Sequence, residues 1–177
     1  MSALNHFSHW VYLMQLVHEA RYYIARAEDL GHPDLWRSYE GILEFLAHFR
    51  GAINAYSKCF VSAGVERRRL ESSSVFSSNT DRLKQHERII DLRNKYVSHS
   101  DENEFESVDI FERESAEELV LVLEYNLSFP FDRLYELRGL VRIVEIYVVD
   151  SQQSHVEAIA RKAGKPVRVQ QGRRGNI

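Results

Sequence analysis

The feature that most constrains the fold is an unbroken apolar stripe between positions 35 and 60. Its members are separated by alternating steps of four and three residues: Leu35, Tyr39, Ile42, Leu46, Phe49, Ile53, Tyr56 and Phe60. This spacing places every member on one side of an α-helix, in the pattern of a coiled-coil seam. The stripe predicts a helix of about 30 residues, near 45 Å long, that ends around Gly64.

Three further segments have helical spacing. The first runs from about Leu4 to Leu30, and its apolar residues cover more than half of its circumference, so it needs cover on more than one side. Gly31 and Pro33 suit a short connection, which predicts an antiparallel pairing with the second helix. The third helix is predicted from Thr80 or Asp81 to about Ser98, and the last from about Phe131 to Lys162.

A change of periodicity precedes the last helix. Val108 and Ile110 alternate with polar residues, and Leu119 to Leu123 is an apolar run rich in branched side chains. These patterns predict two strands of a small β-hairpin. A short helix is the alternative, because Ser115 and Glu118 match a helix capping box.

The segment from Val65 to Thr80 has no apolar period and is rich in serine, which predicts a polar loop. It begins with three consecutive arginines, Arg67, Arg68 and Arg69. These side chains are candidates for contacts with nucleic-acid phosphates. Alternatively, they form a solvated continuation of the preceding helix.

Composition limits the class of protein. The chain has 177 residues, of which 44% are apolar and 28% charged, as in a single globular domain. The single cysteine, Cys59, excludes an internal disulfide and a cysteine-based zinc site. We expect a cytoplasmic protein without a membrane span, since there is no long apolar run and no secretory signal pattern. The predicted fold is mainly α: an up-and-down bundle of four to five helices with a small β-hairpin insertion before the last one.

Charge is unevenly distributed along the chain. The net charge is −3, yet no acid follows Glu157, whereas six arginines and lysines do. We therefore predict a helical domain over residues 1–163 and a basic, flexible tail over residues 164–177. Because the rest of the chain is acidic, any contact with nucleic acid must be local.

The residues best suited to chemistry on a phosphate lie near the end of the third helix. Arg93 offers a planar, permanently charged fork, and His99 is the type of side chain that titrates near physiological pH. On a regular helix the two side chains point about 120° apart. A shared site therefore requires the helix to end near Ser98, or a second copy of the chain to supply the other half. Without such a site, Arg93 stabilises the edge of the core and His99 terminates the helix.

The segment Leu92 to Asp101 resembles the signature of HEPN domains: an arginine, a polar residue that is often asparagine, and a histidine after four to six intervening residues. Here the residues are Arg93, Asn94 and His99, with five residues between the arginine and the histidine. The predicted helix pair, the position of the motif at the end of the next helix and the closing helix also match. The ending Ser-His-Ser-Asp is most similar to the abortive-infection-associated branch.

The resemblance implies a metal-independent endoribonuclease of toxin or phage-defence type, which uses no cofactor and acts as a homodimer with the two motifs facing each other. By position, His99 would be the general acid/base, Arg93 would bind the phosphate, and Asn94 would orient either group. Lys95 is a further candidate for a contact with RNA. The expected product is a 2′,3′-cyclic phosphate.

Two features modify this expectation. In one toxin branch a tyrosine two residues after the histidine is modified by a partner nucleotidyltransferase, but here that residue is Asp101. Regulation by modification of that tyrosine is therefore not expected here. A cognate antitoxin or a partner of nucleotidyltransferase type is retained as an expectation from the resemblance. Some members of the superfamily lack nuclease activity. The alternative is a non-catalytic HEPN-fold dimer that serves as a protein- or nucleotide-binding module.

Overall fold

The computed structural model describes residues 3–32, 39–61, 69–77, 79–97, 106–115, 117–127 and 131–170. In chain order the described elements are helix α1 (Ala3–Asp29), helix α2 (Tyr39–Lys58), the short helix α3 (Ser72–Val75), helix α4 (Thr80–Leu92), a π-helical turn (Arg93–Val97), strands β1 (Glu106–Glu114) and β2 (Leu119–Leu127), and helix α5 (Phe131–Ala163). The fold is mainly helical, with one antiparallel β-hairpin before the last helix, as predicted.

The core of the helical bundle lies between α1, α2 and α5. The apolar stripe of α2 forms much of it, since Phe49, Ile53 and Tyr56 are at most 1% exposed. Burying a large apolar side chain stabilises a fold by about 2 kcal/mol, so the regular stripe determines which face of α2 is buried. The first helix contacts both neighbours, in agreement with its wide apolar face.

Helices α1 and α5 run antiparallel along each other. An ion pair joins Arg21 to Glu145, and a second joins Arg138 Nη1 to Glu28 Oε1 at 2.8 Å. The residue number rises along α1 as it falls along α5, which fixes the relative direction. Both helices have nearly the bounds that the sequence predicts.

The prediction for the end of α2 is wrong. The helix ends at Lys58 and not around Gly64. The next two backbone N–H groups donate three residues back and not four: Cys59 N–H donates to Tyr56 O at 3.0 Å, and Phe60 N–H to Ser57 O at 2.9 Å. Phe60 is nevertheless buried. Its apolar spacing reports burial of the side chain, whereas the backbone has already left the helix. The start of the predicted helix and residues 62–68 lie outside the described part.

The prediction of an uninterrupted polar loop between Val65 and Thr80 is also wrong. The described residues include α3 at Ser72–Val75, and Phe76 directly after it is 4% exposed. The ring of Phe76 stacks against Phe60 with centroids 6.1 Å apart. Burial of this aromatic side chain therefore anchors the segment.

The hairpin prediction is confirmed. Strands β1 and β2 pair antiparallel from Glu106↔Leu127 to Glu114↔Leu119. The capping-box residues lie in the connecting turn, where Ser115 Oγ accepts a hydrogen bond from Glu118 N–H at 3.1 Å. The signal for a helix cap was thus a signal for a turn, because a serine hydroxyl satisfies nearby amides in both settings.

Candidate functional site

The candidate site lies at the C-terminal end of α4. The helix begins after Asn79, whose side-chain oxygen accepts from the backbone N–H of Arg82 at 3.0 Å. Its core stripe is buried at Ile89 and Leu92. At Arg93 the backbone changes to a π-helical turn that packs near α2. The helix thus continues to Val97, close to the predicted end near Ser98, but its last five residues are π-helical. The ~120° offset that a regular helix gives therefore does not apply here.

Arg93 lies at the boundary between core and surface, as predicted. Its side chain is half-buried, and Nη1 donates to Asn94 Oδ1 at 3.0 Å. Its Nε is buried and has no hydrogen-bond partner among the described residues. The group retains donor capacity for an acceptor such as a phosphate oxygen.

Asn94 and Lys95 are both exposed on the first residues of the π-helical turn. Lys95 Nζ lies 2.9 Å from Asp91 Oδ2 in an ion pair one turn apart. An exposed pair of this kind is weak and breaks readily, at a cost of about 0.5 kcal/mol. Lys95 is therefore accessible to an anion, but Asp91 partly neutralises it.

Of the remaining predicted site residues, Arg69 alone lies in the part of the chain that the structure describes. His99 lies outside the described residues, as do Arg67 and Arg68. Arg69 is exposed, and its Nε pairs with Glu71 Oε1 at 3.3 Å. The structure thus brings Arg93 and Asn94 together, while Lys95 and Arg69 each contact a carboxylate of their own segment.

A buried histidine on α4 was not singled out by the sequence. His86 is 6% exposed, and its Nδ1 lies 2.8 Å from the hydroxyl of Tyr56. The rings of Phe60 and Phe76 flank it at 4.3 and 5.3 Å. Burial lowers the pKa of His86 to about 4, so the imidazole is neutral at physiological pH. Its position seven residues before Arg93, on the buried side of α4, was the available signal.

A shallow groove between α1 and α5 is the other concave feature of interest. It encloses about 360 Å³ and has three arginines at its rim, Arg21, Arg138 and Arg142. Two of them are paired with carboxylates, as described above. The groove is therefore nearly neutral, and its charge does not identify an anion site.

The described residues contain no cluster of three or more histidine, cysteine or acidic side chains that could hold a metal ion. Within the same part of the chain, no helix combines the length and apolar content that a membrane span requires. Comparisons with protein-family models, curated proteins and solved structures found no match for the chain.

Proposed function

We propose that this protein is a HEPN-like, metal-independent endoribonuclease of toxin or phage-defence type that acts as a homodimer. The observation that carries the proposal is the sequence motif of Arg93, Asn94 and, five residues after Asn94, His99. Its first two residues directly follow α4. The proposed site is composite, with each subunit contributing one copy of the motif.

The geometry around Arg93 supports a role in phosphate binding. Its side chain is half-buried at the edge of the bundle, and its Nη1 donates to Asn94 Oδ1 at 3.0 Å. The motif also begins with a π-helical turn, and such turns occur frequently at functional sites. An ordinary exposed arginine on an α-helix would account for neither the contact with Asn94 nor the π-helical turn.

In the proposed reaction, the 2′-hydroxyl of a ribose attacks the adjacent phosphorus, and the bond from phosphorus to the 5′-oxygen breaks. His99 of one subunit accepts the 2′-hydroxyl proton, and His99 of the other protonates the 5′-oxygen as it leaves. Arg93 stabilises the negative charge that develops on the non-bridging oxygens. The products are a 2′,3′-cyclic phosphate and a free 5′-hydroxyl.

The charge of the hairpin restricts how RNA approaches. Residues 108–124 carry six carboxylates and one arginine, so the hairpin repels a phosphate backbone. RNA is therefore expected to reach Arg93 from the side away from the hairpin. Lys95 and Arg69 are the described cations expected to assist, at some loss of their ion pairs.

The test is cleavage of a mixed-sequence RNA in the presence of EDTA. Wild-type protein is expected to cleave, whereas His99→Ala and Arg93→Ala lower the rate by a factor of about 10² or more, in the range of acid–base and electrostatic groups. Matched controls are His18→Ala and Arg161→Ala, two exposed positions on α1 and α5, which should cleave like wild type.

A contaminating nuclease is identified by the variants, since its activity would be equal in all preparations. Equal cleavage by wild type and His99→Ala contradicts the proposal. Complete absence of cleavage, combined with retained binding of RNA or a nucleotide, favours the second candidate function, a binding module of the same fold. The exposed apolar hairpin favours the protein-binding form of this second function, because an apolar surface is suited to a protein partner.

A further inference from the structure

The β-hairpin exposes an apolar surface that nothing in the described chain covers. Because directly paired residues of an antiparallel ladder share a face, one face contains Val108 and Ile110 of β1 with three leucines of β2, Leu119, Leu121 and Leu123. Ile110 is 63% exposed and Leu121 is 59% exposed. We define these five residues as the apolar face.

An isolated two-stranded hairpin is only marginally stable in water. In the part of the chain that the structure describes, each of its strands also has one edge that no further strand joins, and such an edge is a template for an additional strand. A third strand with apolar residues on the correct side would widen the apolar face and satisfy one edge. A partner that forms a third strand is therefore expected to stabilise the hairpin.

The charge of the hairpin identifies the chemistry of that partner. Residues 108–124 have a net charge of −5, with six acids and Arg113. Asp109 and Glu124 are directly opposite each other in the ladder, and like charges at this position are unfavourable. A second acidic hairpin would add repulsion, so face-to-face pairing of two hairpins is disfavoured. A basic strand with alternating apolar residues fits instead.

The segment that follows α5 has this character. Residues 165–170 read Lys-Pro-Val-Arg-Val-Gln, with branched Val167 and Val169 on one side of an extended chain and Arg168 on the other. They have no regular secondary structure, and Val169 is 56% exposed. The segment is thus a basic strand former without a strand to join.

The length of α5 determines which copy of the chain can supply it. The hairpin is connected to the start of α5, whereas the segment follows its end. A helix of 33 residues separates them, which corresponds to about 50 Å. Six extended residues span only about 20 Å. This difference favours a segment from a second copy.

We infer that residues 165–170 of one copy add as a third, antiparallel strand to the edge of β1 in a second copy. Val167 and Val169 then lie beside Ile110 and Val108 and extend the apolar face. The same register places Lys165 beside Glu112 and Arg168 beside Asp109, so opposite charges are adjacent on both faces. Pro166 is tolerated on an edge strand, where alternate backbone nitrogens face solvent.

The exchange is reciprocal in a two-fold dimer, so each dimer contains two such three-stranded sheets. Neither the segment nor the hairpin contains Arg93 or His99, so this interface can be tested without an assay of RNA cleavage. Because the proposed ribonuclease is also a homodimer, a chain that is monomeric at all concentrations contradicts both proposals. A dimer that persists in the segment variant contradicts only the strand addition, and equal cleavage by wild type and His99→Ala contradicts only the ribonuclease.

The test is the oligomeric state of the full chain, measured by sedimentation equilibrium. Val167→Asp with Val169→Asp is expected to raise the dimer dissociation constant by more than about a hundredfold, since it introduces charges beside the apolar face. Circular dichroism should show unchanged helix content, because the altered residues lie outside the helices. Arg161→Asp with Lys162→Asp, at the end of α5, is the matched control and should remain dimeric.

A charge exchange tests the register. Lys165→Glu alone and Glu112→Lys alone should each weaken the dimer about tenfold, over two interfaces. The combination in one chain should restore the wild-type dissociation constant. Absence of restoration contradicts the register.

Mixing of variants tests whether the segment acts between copies. A hairpin variant, Ile110→Asp with Leu121→Asp, and the segment variant retain one intact interface between them, so they should form a heterodimer. A wild-type monomer at all concentrations overturns the inference, and so does a dimer that persists in the segment variant. A monomer whose hairpin amides lose protection in the segment variant would mean that the segment binds its own hairpin.

Discussion

The hydroxyl of Tyr56 lies 2.8 Å from Nδ1 of His86 inside the helical bundle, where both side chains are at least nine-tenths buried. This contact joins α2 to α4, and His86 lies seven residues before Arg93 in the candidate site. Phe60 and Phe76 enclose the imidazole, so water does not replace the hydrogen bond. The pair thus adds a buried polar contact to the apolar packing that holds α4 against the bundle.

Removal of the hydroxyl should destabilise the fold. Tyr56→Phe leaves Nδ1 of His86 buried without a partner, and an unsatisfied buried group costs about 1–3 kcal/mol. Urea denaturation should therefore give a free energy of unfolding that is lower by this amount. The dependence of this free energy on urea concentration should be unchanged. Tyr22→Phe removes a hydroxyl from an exposed ring on α1 and serves as control. Equal stability of the two variants would contradict the role of the contact.

The stability of the protein should depend on pH through His86. Burial lowers its folded-state pKa to about 4 from the ordinary 6.5. Between these values the unfolded chain binds a proton that the folded chain does not, so stability falls as the pH falls. The loss amounts to about 3 kcal/mol once the pH is below both pKa values.

The measurement is urea denaturation of wild type and His86→Gln across this pH range. Between about pH 6.5 and 4, the free energy of unfolding of the variant should change much less with pH than that of wild type. This holds whatever the stability of the variant at neutral pH. His18→Gln, at an exposed position of α1, should retain the wild-type slope. Parallel curves for wild type and His86→Gln would show that the pH dependence has another origin.

Cys59 should be chemically inert in the folded protein. Its side chain is 1% exposed, and burial raises the pKa of the thiol to about 12. Since the thiolate is the reactive form, a disulfide reagent should modify Cys59 only at the rate at which the bundle opens. Modification in urea should be fast. Rapid modification of the native protein would contradict the buried position.

Two glycines within helices should respond in opposite directions to alanine. A Cβ at Gly139 of α5 meets the flexible end of Arg82, which can move, so Gly139→Ala should stabilise by about 0.5–1 kcal/mol. A Cβ at Gly51 of α2 would lie 3.0 Å from the packed ring of Tyr23. Gly51→Ala should therefore destabilise the protein, because it disturbs the contact between α1 and α2. Thermal unfolding of both variants checks the contrast.

Much of the fold follows from side-chain periodicity. The stripe of α2 predicts its buried face, and the alternation at Val108 and Ile110 predicts β1. Both predictions succeed because a regular period decides which face of an element is apolar. Periodicity does not fix where the backbone leaves the helix, so Phe60 continues the stripe beyond the end of α2. It also fails for α3, which is too short to show a period.

Near the candidate site, the half-buried position of Arg93 was predictable from the sequence, whereas the conformation of its backbone was not. The half-buried position of Arg93 follows from its place beside Ile89 and Leu92 on α4. The π-helical turn differs from an α-helix only in its backbone hydrogen-bond pattern, which no apolar period in the sequence indicates. The burial of His86 likewise follows from Phe60 and Phe76. These two aromatic residues lie outside α4, and only the tertiary structure brings them against it.

The most direct test of the proposed function is the chemical nature of the RNA ends, measured on RNA cleaved in EDTA by wild type and by His99→Ala. Wild type is expected to yield 2′,3′-cyclic phosphate and 5′-hydroxyl ends, and an RNA that is 2′-O-methylated at every position should remain intact. His99→Ala should yield neither end above background. Cyclic phosphate ends in equal amount from both proteins, or cleavage of the methylated RNA, would contradict the account.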